Sequence, residues 1–138
     1  MNPSDELKNV MLRYYQSMTS GDVRAVERIF SLQTGVLAIG SDPNEWWEGY
    51  DTIARMFKAQ LREMGGIQIK AGEMNAFIEG TVGWVADRPT FRLPNGQELT
   101  FRGTAIFHKE DGEWKIVHLH HSIGVPNEDA VGKELTTR

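Results

Sequence analysis

Three of the four histidines in this chain fall within four positions, in the stretch EWKIVHLHHSIG at 113–124. An imidazole titrates near neutral pH, so His118, His120 and His121 are the side chains best suited to move a proton, and they are also potential metal ligands. Cysteine is absent, which removes thiol nucleophiles, disulfides and Cys-based zinc sites. His118 and His120 stand on one face of a strand, roughly 7 Å apart, a spacing that can serve one metal ion. A third ligand would have to be Glu48, His121 or Asp87, and strand alternation sends His121 and Asp87 to the opposite face. The expectation is therefore no metal and no cofactor. Acid–base chemistry would instead pair His118 or His120 with a phenol, Tyr14 or Tyr15. Asp87 is the one strand carboxylate in a suitable region, but alternation groups Trp84 with Arg88 and leaves Asp87 on the other side, as a turn or edge residue beside Pro89. A plainer reading stays open for the histidines: neutral core residues bonded to a helix side chain.

These side chains need elements to hold them. Ser4 can cap a helix through DELKNVMLRYYQSMTSGD, with Asp5 and Glu6 in its first turn and Leu7, Val10, Met11, Tyr14 and Met18 forming one apolar stripe. Gly21 supplies a stop. DVRAVERIF is a second, shorter helix. GVLAIG reads as a buried strand and SDPNEWWEG as a loop. Asp51 can cap a third helix, TIARMFKAQLREM, with Ile53, Phe57, Leu61 and Met64 inward. After Gly66 the apolar period changes from helical to two. Strands follow over IQIKAGEMNAFIEG, TVGWVADRPTFRL, QELTFRGTAIFHK and EWKIVHLHHSIG, the last two joined by the hairpin dipeptide Asp111-Gly112. Helices first and a meander second predict an α+β domain: three N-terminal helices on a strongly curved, mostly antiparallel sheet. One domain is expected over 1–138, with a polar tail from about 127.

The hairpin fixes the faces. In strand 97–109 the odd positions Leu99, Phe101, Gly103, Ala105 and Phe107 are the apolar set and should meet the helices. Counting outward from Asp111-Gly112 pairs Phe107 with Ile116, Ala105 with His118 and Gly103 with His120, unless a bulge shifts the phase. Trp114, Ile116, His118, His120 and Ser122 are then expected inside, and Val117, Leu119 and His121 outside. Small residues beside two imidazoles suggest a pocket rather than a packed core. The expected ligand-binding set is Tyr14, Trp47, Trp84, Arg88, Phe101, His118 and His120, with His118, His120 and Tyr14 the candidate catalytic groups. The mixture suits a small, partly apolar ligand. On the outer face Ile106, Val117 and Leu119 form an apolar patch, read as a homodimer surface.

A net charge of −4 and the lack of a basic stripe argue against nucleic acid. No apolar run approaches a membrane span of about 20 residues, and the polar start MNPSDELKN is unlike a signal peptide. A cytoplasmic protein is the expectation.

The run IGSDPNEWWEGYDTI before a helix, then GWVADRPTFRLPNG, then FHKEDGEWKIVHLHHSIGVPNE, resembles the SnoaL-like branch of the nuclear-transport-factor-2-like superfamily, over about residues 4–127. DGEWKIVHLHHS is also similar to the association domain of calcium/calmodulin-dependent kinase II. The resemblance implies a cone-shaped α+β fold, an internal pocket between sheet and helices, and a dimer made by packing sheet on sheet. The association domains line their pocket with arginines; the matching positions here are Ala86, Ala105 and His121, with Arg88 a partial substitute. The superfamily hosts isomerases, dehydratases, hydrolases, binding proteins and assembly modules, so three functions follow as alternatives: a small-molecule-binding domain, an acid–base enzyme using a pocket His with a Tyr, and an assembly module with an unused pocket.

Overall fold

The computed structural model describes residues 1–138. The first helix is set at both ends by its sequence. A two-residue strand, β1 (Asn2–Pro3), leads to Ser4, whose Oγ accepts the Leu7 N–H at 3.1 Å, and α1 (Asp5–Ser20) runs to Gly21, which takes the left-handed conformation at φ 70°. Leu7, Val10, Met11, Tyr14, Tyr15 and Met18 are its buried face. Asp22 caps α2 (Val23–Ile29). Two short strands follow, β2 (Leu37–Ile39) and β3 (Trp46–Glu48), then α3 (Tyr50–Met64). The third helix starts on Gly49, not on Asp51, and has no side-chain cap; Ile53 and Phe57 are its buried residues.

The remaining strands are β4 (Gln68–Lys70), β5 (Asn75–Glu79), β6 (Val82–Asp87), β7 (Thr90–Arg92), β8 (Glu98–Thr100), β9 (Arg102–Glu110) and β10 (Glu113–Ser122). Three of the four expected long strands are thus each broken in two: one over 71–74, one at Pro89, which has no N–H to give a ladder, and one at Phe101. The larger sheet has the order β1-β5-β6-β9-β10-β2-β3 and the smaller β4-β7-β8. All pairings are antiparallel except β10 with β2. A short helix, α4 (Asn127–Val131), lies in the polar tail and buries nothing. The architecture is the expected cone: three helices on a curved, mostly antiparallel sheet. Its core joins α1, α2 and α3 to the inner sheet face through Tyr14, Phe30, Phe57 and Trp47, whose rings meet at centroid distances of 5.5 to 6.4 Å.

The hairpin at Asp111-Gly112 forms as expected, with φ of 51° and 81° and Glu110 opposite Glu113. The phase beyond it does not. A β-bulge between Ile116 and His118 puts Ile116 opposite Phe107 but His118 opposite Ile106, Leu119 opposite Ala105 and His121 opposite Gly103. The inner residues of β10 are therefore Trp114, Ile116, Leu119 and His121. His118 and His120 face outward, and Leu119, expected outside, is only 2% exposed. The phase of β6 is also the reverse of expectation. Gly83, Val85 and Asp87 face the helices, while Trp84 stacks on Phe77 on the outer face, ring centroids 5.2 Å apart. Close packing of α1 fixes this choice: a Cβ at Gly83 would lie 2.5 Å from Leu7 Cδ1.

Candidate functional site

The inner sheet face and the helices enclose a cavity of about 340 Å³. Tyr14 and Met18 of α1, Phe57 of α3, Trp47 of β3, Leu119 of β10 and Phe101 give it apolar walls. Its polar groups are few. Ser41 and Glu63 sit at an exposed rim, and Gln60 Nε2 donates to Glu45 Oε2 at 2.7 Å beside them. His121 is the imidazole in the lining.

The His121 ring lies over Gly103. A Cβ there would be 2.9 Å from Cδ2 and 3.0 Å from Nε2, so the glycine makes room for the imidazole. Phe101 and Phe91 stack on each other at 4.3 Å and present edges to the ring at 6.4 and 6.2 Å. Its Nε2 is closed off from solvent and has no hydrogen-bond partner in the chain. Burial lowers its pKa to about 4, helped by His120 and opposed by the Asp87 carboxylate, so the ring is neutral at pH 7.

Asp87 reaches the same region from the other side. It pairs with Gly103 across β9 just as His121 does from β10, so the two flank one glycine, about 10 Å apart at Cα by strand spacing. It is 5% exposed. The carboxylate accepts the Tyr15 hydroxyl at 2.8 Å, the Gly72 N–H at 3.0 Å and the Arg88 N–H at 2.8 Å. Gly72 is required for this: a Cβ would meet Arg88 O at 2.6 Å. Burial and the adjacent carboxylate push the Tyr15 phenol well above its ordinary range, and burial does the same to Tyr14. Both phenols are neutral at pH 7, and Tyr15 is the one that donates.

Of the expected ligand-binding residues, Tyr14, Trp47 and Phe101 line the cavity. Trp84, His118, His120 and Arg88 do not, because the bulge and the β6 phase turn them outward. His118 is half-buried on the outer face, with a pKa lowered by burial and by His120. Arg88 and His120 meet in a separate exposed groove with Arg102 and Ser122. The expected catalytic pairing of His118 or His120 with Tyr14 is therefore not assembled. Asp87, expected as an edge residue, is a buried acceptor instead. No three His, Asp or Glu side chains gather as a metal site. The missed residues carried one signal. Ile116, Val117 and Leu119 cannot place both Ile116 and Leu119 inside by strict alternation, and only an extra residue reconciles them.

The SnoaL-like domain model matches residues 7–126. The chain belongs to the SnoaL-like domain family. Among curated proteins nothing matches. Solved structures agree with the fold. An NTF2-like protein of unknown function from Pseudomonas putida KT2440 is 14% identical at TM-score 0.80, covering 96% of this chain and 93% of that one. A protein with a cystatin-like fold from Caulobacter vibrioides is 16% identical at TM-score 0.75, covering 92% and 93%. An NTF2-like family protein from Streptomyces avermitilis, provisionally called a dehydratase, is 14% identical at TM-score 0.77, covering 88% and 95%. At these identities the likeness of the SnoaL-like domain to its neighbours is one of fold. No helix in it is long and apolar enough to cross a membrane.

Proposed function

We propose that this SnoaL-like domain holds a small, uncharged, largely apolar molecule in its cone, with a polar atom of the ligand directed at His121. The observation that carries this reading is the contrast inside the cavity: aromatic and aliphatic walls around a single imidazole kept neutral by burial. Glu45 and Glu63 at the rim disfavour an anion. Titration with cyclohexanone, followed by NMR of labelled His, Phe and Leu side chains, tests it. His121, Phe101 and Leu119 should shift together and saturably. Shifts confined to Phe77 and His118 on the outer face, or none, would overturn the reading.

A second reading is favoured by the position of Asp87. An acid–base enzyme would use His121, not His118 or His120, to take a proton from the substrate and return it, with Asp87 stabilising the transient imidazolium and Tyr15 holding Asp87 in place. For an identified substrate, His121→Gln should then abolish turnover while leaving the fold intact.

We also infer a homodimer through the outer sheet face. Phe77, Trp84 and Ile106 lie there with Leu37 and His118, whose pKa burial and then His120 lower, so the centre of the patch is dominated by apolar surface that an identical copy can cover.

A further inference from the structure

A second groove, of about 460 Å³, is bounded by α1, α2 and the β9–β10 hairpin. Glu6, Val10, Arg13 and Ser17 face it from successive turns of α1, Ala25, Arg28 and Ile29 from α2, and Glu113, Trp114 and Lys115 from β10. Val10, Ala25, Ile29 and the indole of Trp114 supply apolar surface. The cations are not equivalent. Lys115 Nζ is committed: it donates to the Arg28 carbonyl and pairs with Glu113 at 3.2 Å, fixing the hairpin to the end of α2. The guanidinium groups of Arg13 and Arg28 are engaged by no carboxylate and by no side-chain hydrogen bond. Glu6 is the one other acid in the lining, so three cations face two carboxylates, a local excess of positive charge on a chain whose net charge is −4.

A second observation is independent of that charge. Trp114 is 6% exposed, and its indole N–H is buried without an acceptor. Leaving a buried donor unmet is destabilising, and such donors are rare in native folds. The same residue lines the groove in which two guanidinium groups lack anions.

We infer that this groove binds a small organic carboxylate, its apolar body on Val10, Ile29 and the Trp114 indole and its oxygens on Arg13 and Arg28. The site is separate from the cone and shares none of its lining residues. Its ligand has the opposite preference: an anion here, an uncharged molecule there.

The test uses benzoate, with benzyl alcohol as the uncharged counterpart, on the intact ¹⁵N-labelled protein. The Trp114 indole N–H resonance, identified with Trp114→Phe, is the readout, and His121 reports the cone separately. Benzoate should shift the Trp114 resonance saturably, and benzyl alcohol should not. Arg13→Ala and Arg28→Ala, both exposed and on helix surfaces, should each weaken the benzoate response about tenfold, the loss of one charge-assisted pair. The inference is overturned if benzoate leaves the Trp114 resonance unmoved, if benzyl alcohol moves it equally, or if both arginine variants respond like the parent. A response of His121 to benzyl alcohol, with none of Trp114 to benzoate, would support the cone and reject the groove.

Discussion

His121 is neutral in the folded chain because its surroundings refuse its charge, and the cost of that refusal can be measured. Burial takes its pKa from 6.5 to about 4. Above pH 6.5 the ring is neutral whether the chain is folded or not, and the stability associated with it is fully present. As pH falls below 6.5 the unfolded chain binds a proton that the folded chain does not, so unfolding becomes easier. Below pH 4 both states are protonated and the loss is complete. The gap between the two pKa values corresponds to up to about 3 kcal/mol, against a total stability of roughly 5–15 kcal/mol for a domain. The titratable groups whose charge acts on the ring are His120, its chain neighbour on the other face, which adds to the shift, and Asp87, which opposes it. Urea unfolding of the parent and of His121→Gln, from pH 7 down to pH 4, isolates the effect, since the other titrating groups are common to both. The parent should lose up to about 3 kcal/mol more than the variant between pH 6.5 and pH 4. Parallel stability curves, or an imidazole midpoint above pH 6 by NMR, would refute the placement of this ring.

The wall beneath the ring gives a second test. Gly103→Ala sets a methyl group 2.9 Å from His121 Cδ2 on ordinary backbone, so the penalty is steric, about 1–3 kcal/mol by thermal or urea unfolding. His121→Ala in the same chain should recover most of it. Tyr15→Phe removes one of the donors to the Asp87 carboxylate and leaves two backbone N–H groups, so a loss of about 1–3 kcal/mol with the fold retained is expected by denaturation and circular dichroism. Trp84→Arg places a charge in the middle of the outer apolar face; light scattering should show the parent as a dimer and the variant as a monomer, and a monomeric parent would sink the dimer.

Much of the fold is legible in the sequence because its signals are local. Ser4, Gly21, the stripe from Leu7 to Met18 and Asp111-Gly112 each act within a few residues, and the structure uses each of them as the pattern predicts. The odd face of β9 is equally plain, since Ala105 and Phe107 are apolar and have no rival register. The site is less legible because it depends on phase, and phase is set by contacts distant in sequence. Trp84 looks like the natural inward residue of β6, yet Leu7 of α1 needs a residue without a side chain beneath it, and Gly83 is the only such residue there. In β10 the demand to bury both Ile116 and Leu119 outweighs regular alternation, and the bulge that meets it exchanges one imidazole for two. Asp87 was hidden for the same reason: its partners, Tyr15 and Gly72, lie 72 and 15 positions away in the chain.

The extra residue in β10 divides one strand into two independently tunable halves. Substitutions before it, around Trp114 and Ile116, touch packing against the helices, while those after it reshape the chamber. Sliding the irregularity to a point past His121 would present His118 and His120 to the chamber in its place, with every side chain unchanged in identity. A single insertion paired with a nearby deletion could therefore alter what this scaffold accepts more abruptly than any point mutation.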